Sequence, residues 1–181
     1  MTTATTTAPE LTATSEVNVH LAQALDVGYE LVLMLTEGFD DTTAFEAPEG
    51  HMPLAWFLGH LACAKDYFST IHQGCEKAVT EEFSDNFADG ADTNFTIVPP
   101  LDEMIRIFKE THQRIRDFVL LELTPEDFSR KTPVFPDENM GEYAERFRTL
   151  GQALALTQMH DSFHAGQMAK LRLALGMESP V

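Results

Sequence analysis

No lysine or arginine occurs before Lys65, only two cysteines are present, and no apolar run approaches the length of a membrane span. The missing early cations remove the positive start of a secretory signal and the arginines of a transit peptide, so neither is expected. Crossing a bilayer takes roughly 18 consecutive apolar residues, so no membrane anchor is expected either. Cys63 and Cys75 form no C-x-x-C pair and no disulfide framework, which suits a reducing cytoplasm. Basic residues are scarce throughout: 12 Lys and Arg against 29 Asp and Glu leave a formal charge of −17. Nucleic-acid affinity comes largely from neutralising phosphates, so no nucleic-acid partner is expected. The same repulsion counts against an anionic membrane surface.

Several motifs of chemistry are also missing. There is no H-E-x-x-H, which excludes the zinc-protease arrangement with a glutamate base. No Glu-x-x-His occurs in a helical stretch, so a ferritin-like di-iron carboxylate site is not expected. Neither a G-x-S-x-G elbow nor a glycine-rich phosphate loop is present.

What remains is enough for one domain with a real core: 181 residues, 44% of them hydrophobic. Met1 to Thr14 is almost all Thr and Ala and cannot bury much, so it reads as a disordered or loosely attached tail ahead of a domain over 15–181. From Ser15, a plausible N-cap, the positions Val17, Leu21, Ala24/Leu25, Gly28, Leu31/Val32 and Leu35 trace one helical face, with Gly38 as a stop. Phe39 to Gly50 is an acidic loop. A second helix opens at Pro53, a residue suited to a first helical turn, and ends near Gly74. On a wheel at about 100° per residue, Trp56, Cys63, Ala64 and Tyr67 lie within about 60° of His60. His60 therefore sits mid-stripe.

Cys75 to Val98 reads as a long irregular connection, of a length that is functional or must travel a bundle from end to end. Its patch Asp85-Asn86-Phe87-Ala88-Asp89-Gly90 fails as a calcium loop, because Phe87 and Thr96 stand where ligands are needed. It reads as a solvated acidic loop. Pro100 starts a third helix, marked by Met104, Ile107/Phe108, Ile115 and Phe118/Val119 and ended by Thr124-Pro125. A second long connection, Glu126 to Gly141, carries at most a short turn near Pro125 to Phe128. The last helix runs from roughly Tyr143 or Phe147 to Leu175, with Gly176 after it. Four long amphipathic helices, no convincing strand and no repeat predict an all-α four-helix bundle.

The histidines carry the chemistry. A lone histidine on an apolar face, such as His60, is more often a hydrogen-bonded core residue than a ligand. His160 and His164 are more demanding, because imidazoles stacked at i and i+4 in a core find few partners. A shared metal satisfies both, and His60 adds a third nitrogen from another helix, the usual count for a site with an open position. His20, His72 and His112 fall on or near polar faces, and His51, at a helix boundary, is a reserve ligand. Thr157, Asp161, Gln167 and Trp56 lie near enough on the wheel to line the site or hold a histidine. Each also has a plainer reading: Thr157 as core, Asp161 as a surface charge, Gln167 as a bridge between helices. Cys63 reads better as a small buried residue than as a ligand. Arg172 could attract an acidic cosubstrate or simply answer the helix dipole.

The segment Trp56-Phe57-Leu58-Gly59-His60-Leu61-Ala62, with His160-x-x-x-His164-Ala-Gly-Gln and Leu171-Arg172-Leu-Ala-Leu-Gly176, resembles the DinB/YfiT superfamily of metalloenzymes, from about Ser15 to Gly176. The resemblance implies a bundle with an up-down-down-up course, a long crossover, and a divalent metal on His60, His160 and His164. It further implies a homodimer and, among activities, S-transfer using a low-molecular-weight thiol such as bacillithiol, mycothiol or glutathione, or mycothiol-dependent isomerisation. In the transferase reading a metal-activated thiol attacks a small electrophile. With water in place of the thiol the same ligands give a hydrolase, and with a structural or vestigial metal they give a non-catalytic dimer. Imidazole suits zinc and nickel, and also iron or manganese.

Overall fold

Ser15 accepts a hydrogen bond from the Asn18 backbone N–H and so opens the first helix, α1 (Glu16–Met34). The computed structural model describes residues 15–87, 93–132, 148–178 and 180; the Thr/Ala-rich stretch Met1–Thr14 lies outside them. α2 (Leu54–Gln73) follows Pro53 and stops at Gly74, whose φ of 69° is the left-handed conformation that a glycine adopts without strain. A short helix, α3 (Glu81–Phe87), precedes α4 (Leu101–Leu121) and α5 (Leu150–Ala174). Two 3₁₀ turns, Thr43–Phe45 and Pro125–Ser129, complete the helical elements among the described residues. No strand occurs among the described residues.

The contacts fix the course of the chain. Asn18 of α1 donates to the carbonyls of Val119 and Leu123, and Tyr29 packs on Phe108, so α4 runs against α1. Lys65 lies over Phe108 and Phe68 packs with Ile115 and Phe118, so α2 runs alongside α4 in the same direction. Gly28 abuts Asp161, and Arg172 reaches the Leu35 carbonyl, so α5 runs with α1. The course is up-down-down-up. The two parallel neighbours require a connection from the foot of α2 to the head of α4, which residues 74–100 supply.

That crossover is not merely solvated. Phe83 and Phe87 of α3 are buried, and a Cβ on Gly59 would lie 2.2 Å from Cγ of Phe87. The first part of the acidic patch read as a loop, Asp85 to Phe87, is thus the end of a helix whose aromatic side closes the core against α2, while residues 88–90 of the patch lie outside the described residues. The acidic residues masked this, because only two apolar positions four apart mark the buried side. The last helix also departs from expectation: Arg148 and Thr149 are not helical, and Thr149 and Gln152 form a capping box at its start. The part of the expected start at 143–147 lies outside the described residues.

Two hydrophobic clusters fill the bundle. The upper one includes Val32, Leu35, Leu54, Leu58, Met104, Phe108, Met168 and Leu171. The lower one includes Ala22, Leu25, Phe68, Ile115, Val119, Leu150 and Leu154. Every long helix carries polar residues, buried or partly buried, between these clusters: Asp26 on α1, Lys65 and Asp66 on α2, Thr111 and His112 on α4, His160 and Asp161 on α5. A polar layer divides the core at one level.

Candidate metal centre

His60 projects from α2 beneath a run, Leu54 to Ala62, in which every residue is buried. His160 and His164 project from α5 one turn apart. The three meet. Nε2 of His60 lies 3.1 Å from Nε2 of His160, which lies 3.0 Å from Nε2 of His164. Their ligand atoms fall within 4.8 Å of one another, and together they could hold a metal ion.

The protons on these rings are constrained by what surrounds them. Nδ1 of His164 is 2.6 Å from Oε1 of Gln167. An amide oxygen can only accept, so His164 carries its proton on Nδ1 and turns a bare lone pair to the cluster. Burial, followed by the nearness of His164, His60 and Lys65, pushes the pKa of His160 down to about 3. His160 is therefore neutral at neutral pH, and with the Nε2 lone pair of His164 beside it the pair is in the state in which imidazole binds metals. For three nitrogens on a tetrahedral ion at about 2.0–2.1 Å, mutual distances of roughly 3.3 Å follow. The two spacings to His160 are within a few tenths of that value, and all three ligand atoms lie within 4.8 Å of one another, so the donor set is compatible with an ion.

Aromatic rings hold the imidazoles in place. Trp56 stacks on His60 with centroids 4.6 Å apart and planes 7° from parallel, and its edge meets His164. Phe57 leans on His164 at 5.7 Å. Phe163, exposed to solvent, presents its ring edgewise to His164 at 5.1 Å. The sequence marks Phe57 only as part of the apolar run around His60 and gives Phe163 no role, although both adjoin candidate site residues.

The other candidates divide. Gln167 accepts the ring proton. The Thr157 hydroxyl donates to the Ala153 carbonyl, a bond within its own helix. Asp161 does not turn to a histidine, nor is it a surface charge; it is buried and pairs with Lys65 at 2.6 and 2.8 Å. Its place was legible, because it lies seven residues from both Leu154 and Met168 on the inward stripe. Arg172 is buried and donates to the carbonyls of Leu35, Glu37 and Glu178, so it ties α5 to the end of α1 and faces no cosubstrate. Burial pushes the Cys63 thiol up to about 12, which keeps it protonated and poorly nucleophilic. His51 bonds to Glu49 and does not join the cluster.

Two histidines expected near polar faces are buried instead. His112 bonds Asp26 at 2.9 Å and stacks on Tyr29 at 3.9 Å. His72 packs on Phe68, and its Nε2 is a buried nitrogen with no hydrogen-bond partner among the described residues. In both cases a long helix packed on more than one neighbour buries positions that a single-stripe wheel leaves outside.

The fold and the cluster define a class: a four-helix bundle that gathers three histidines from two of its helices into a site able to hold a metal ion. Within that class the chain belongs to the DinB superfamily, whose family model matches residues 24–168. A crystal structure of a conserved protein from Enterococcus faecalis is similar over 90% of this chain and 99% of that one, with a TM-score of 0.68 and 13% identity. At that identity the likeness is one of fold. No curated protein matches the chain. No helix among the described residues is long and apolar enough to cross a membrane.

Proposed function

We propose that this protein is a divalent-metal-dependent enzyme of the thiol S-transferase type, with His60, His160 and His164 as metal ligands. The observation that carries the reading is the gathering of three imidazoles, with Nε2 of His160 3.1 Å from that of His60 and 3.0 Å from that of His164, all ligand atoms within 4.8 Å, and His164 held in the ligand tautomer by Gln167. Three protein donors leave room on the ion for a substrate group. A divalent ion there supplies the charge that lowers the pKa of a coordinating thiol and makes it nucleophilic near neutral pH.

The chain's own residues do the rest. Gln167 holds the His164 ring and raises its basicity through the Nδ1 proton. Trp56 and Phe57 fix the planes of His60 and His164 and keep water from their backs. Phe163 offers an exposed apolar face beside the ligands, suited to an electrophile's carbon skeleton. No protein thiol competes as nucleophile at Cys63, since its pKa stands at about 12. The proposal includes a zinc or nickel ion, with iron or manganese as the next choices for imidazole. It also includes a cytoplasmic setting, where such thiols are reduced, and a homodimer, supported by the exposed Val27, Met159 and Leu173 on α1 and α5.

The test is a thiol-consumption assay with a generic electrophile across glutathione, bacillithiol, mycothiol and coenzyme A. Protein purified without a histidine tag should carry about one divalent ion per chain and accelerate the reaction with at least one thiol. His160→Ala should lose both properties. Metal binding without acceleration by any thiol would defeat the transferase reading, and hydrolysis of an ester by the same protein would replace it.

A further inference from the structure

The metal ligands come from α2 and α5, and a buried ion pair joins the same two helices in the core. Lys65 Nζ lies 2.8 and 2.6 Å from the two carboxylate oxygens of Asp161, and both side chains are 2% exposed. Asp161 follows His160 directly, and Lys65 stands five residues beyond His60. The remaining two helices back the pair. Gly28 of α1 presses on Asp161, where a Cβ would fall 2.9 Å from the aspartate Cβ. Phe108 of α4 lies beneath the ammonium at 5.4 Å. The contact is clamped from all sides of the bundle.

Its purpose is not explained by stability. Taking two charges out of water costs several kcal/mol each, and well-packed apolar replacements of buried pairs are often as stable or more so. The best-attested use of a polar residue in a bundle core is to set register. Apolar clusters above and below this layer tolerate sliding, since Leu, Phe and Met repack with modest loss. A slip of one helical turn moves a side chain by about 5.4 Å, far beyond what nitrogens spaced at 3.0–3.1 Å can absorb.

We infer that Lys65 and Asp161 are positioning residues: their buried contact locks α5 against α2 at the one register that brings His60 to His160 and His164. The inference rests on the metal reading above. It assigns the polar layer a role in metal affinity that neither the three ligands nor the apolar cores fulfil.

The experiment compares wild type with the double variant Lys65→Met/Asp161→Leu, which replaces the pair by apolar side chains of similar size. Cobalt(II) titration gives affinity, and the cobalt d–d absorption reports ligand geometry. The double variant should remain helical with equal or higher melting temperature, yet bind cobalt at least tenfold more weakly with a shifted spectrum. A folded double variant with wild-type affinity and spectrum overturns the positioning role and leaves the metal site standing. A wild type that binds no cobalt overturns both. Should the apolar pair not fold, Lys65→Gln/Asp161→Asn, which keeps a neutral hydrogen bond, takes the same titration. A loss of threefold or more supports the role, and wild-type affinity defeats it.

Discussion

His164 donates its Nδ1 proton to Oε1 of Gln167 across 2.6 Å, and this leaves its Nε2 as a lone pair 3.0 Å from Nε2 of His160. One exposed amide therefore decides which nitrogen of a buried ring faces the site. Hydrogen bonds of this kind to metal-binding histidines commonly contribute a factor of 10–100 in affinity. Gln167→Leu should weaken metal binding by about that factor, measured against a competing chelator. Because Gln167 is exposed, the melting temperature of the metal-free protein should hardly move. Gln167→Glu, which keeps an acceptor, should retain binding. Equal affinity in Gln167→Leu would refute the tautomer argument.

The contact between Gly59 and Phe87 is a close one, because the crossover helix lies directly on α2 beside His60. Gly59→Ala would put a Cβ 2.2 Å from Cγ of Phe87, and forced overpacking of this sort costs about 1–3 kcal/mol or more. Phe87→Ala should cost about 3–5 kcal/mol through the cavity it opens. The informative measurement is the double-mutant cycle by urea denaturation. In the Phe87→Ala background the added methyl has room, so Gly59→Ala should then cost little. Strict additivity would show that the two residues do not meet.

Arg172 separates a structural cation from a recognition cation. Its guanidinium is buried and serves three backbone carbonyls at the ends of α1 and α5. Arg172→Leu should lower stability by about 1.5–3 kcal/mol, the range for hydrogen bonds made by a charged group. The KM for any thiol should remain as in wild type. A selective rise in that KM at unchanged stability would restore the cosubstrate role.

Acid should unfold the metal-free protein earlier than its many carboxylates alone require. Burial holds His72 at about 4 and His160 at about 3, against about 6.5 in an unfolded chain. Between those values the unfolded state binds protons that the native state refuses, so stability is intact above about pH 6.5 and falls as pH drops toward 4 and then 3. Urea midpoints measured from pH 8 to 5 should therefore decline. His72→Leu removes both the orphaned Nε2 and one such proton site. It should be neutral or stabilising at pH 7 and flatten the decline. An unchanged slope would exclude His72 as a contributor.

Sequence patterning resolves the gross architecture because helix period and stop signals are local. Pro53, Gly74 and Pro100 bound their helices where expected, and the Pro125 turn forms. The face of α1 departs from the expected stripe only at its start, where Asn18 is buried and Val17 exposed, while Leu25, Gly28, Val32 and Leu35 are buried as expected. A polar residue can occupy an apolar stripe when it has carbonyls to serve, and those carbonyls, of Val119 in α4 and of Leu123 just past its end, lie 101 and 105 residues away in sequence. The helix Glu81–Phe87 escaped for a related reason, since its burial depends on the flank of α2 that Gly59 leaves open.

By itself the sequence determined four amphipathic helices, their order, the absence of competing metal motifs and the three histidines able to meet. Those features depend on spacing along one chain segment and on residue chemistry. Only the tertiary structure decided that the three Nε2 atoms converge, that Gln167 sets a tautomer, and that Asp161 belongs to Lys65. Each is a relation between side chains whose partners lie on other helices or whose rotamers depend on them. The polar layer through the core exists only once four helices are stacked in register, because no single helix contains more than two or three of its members.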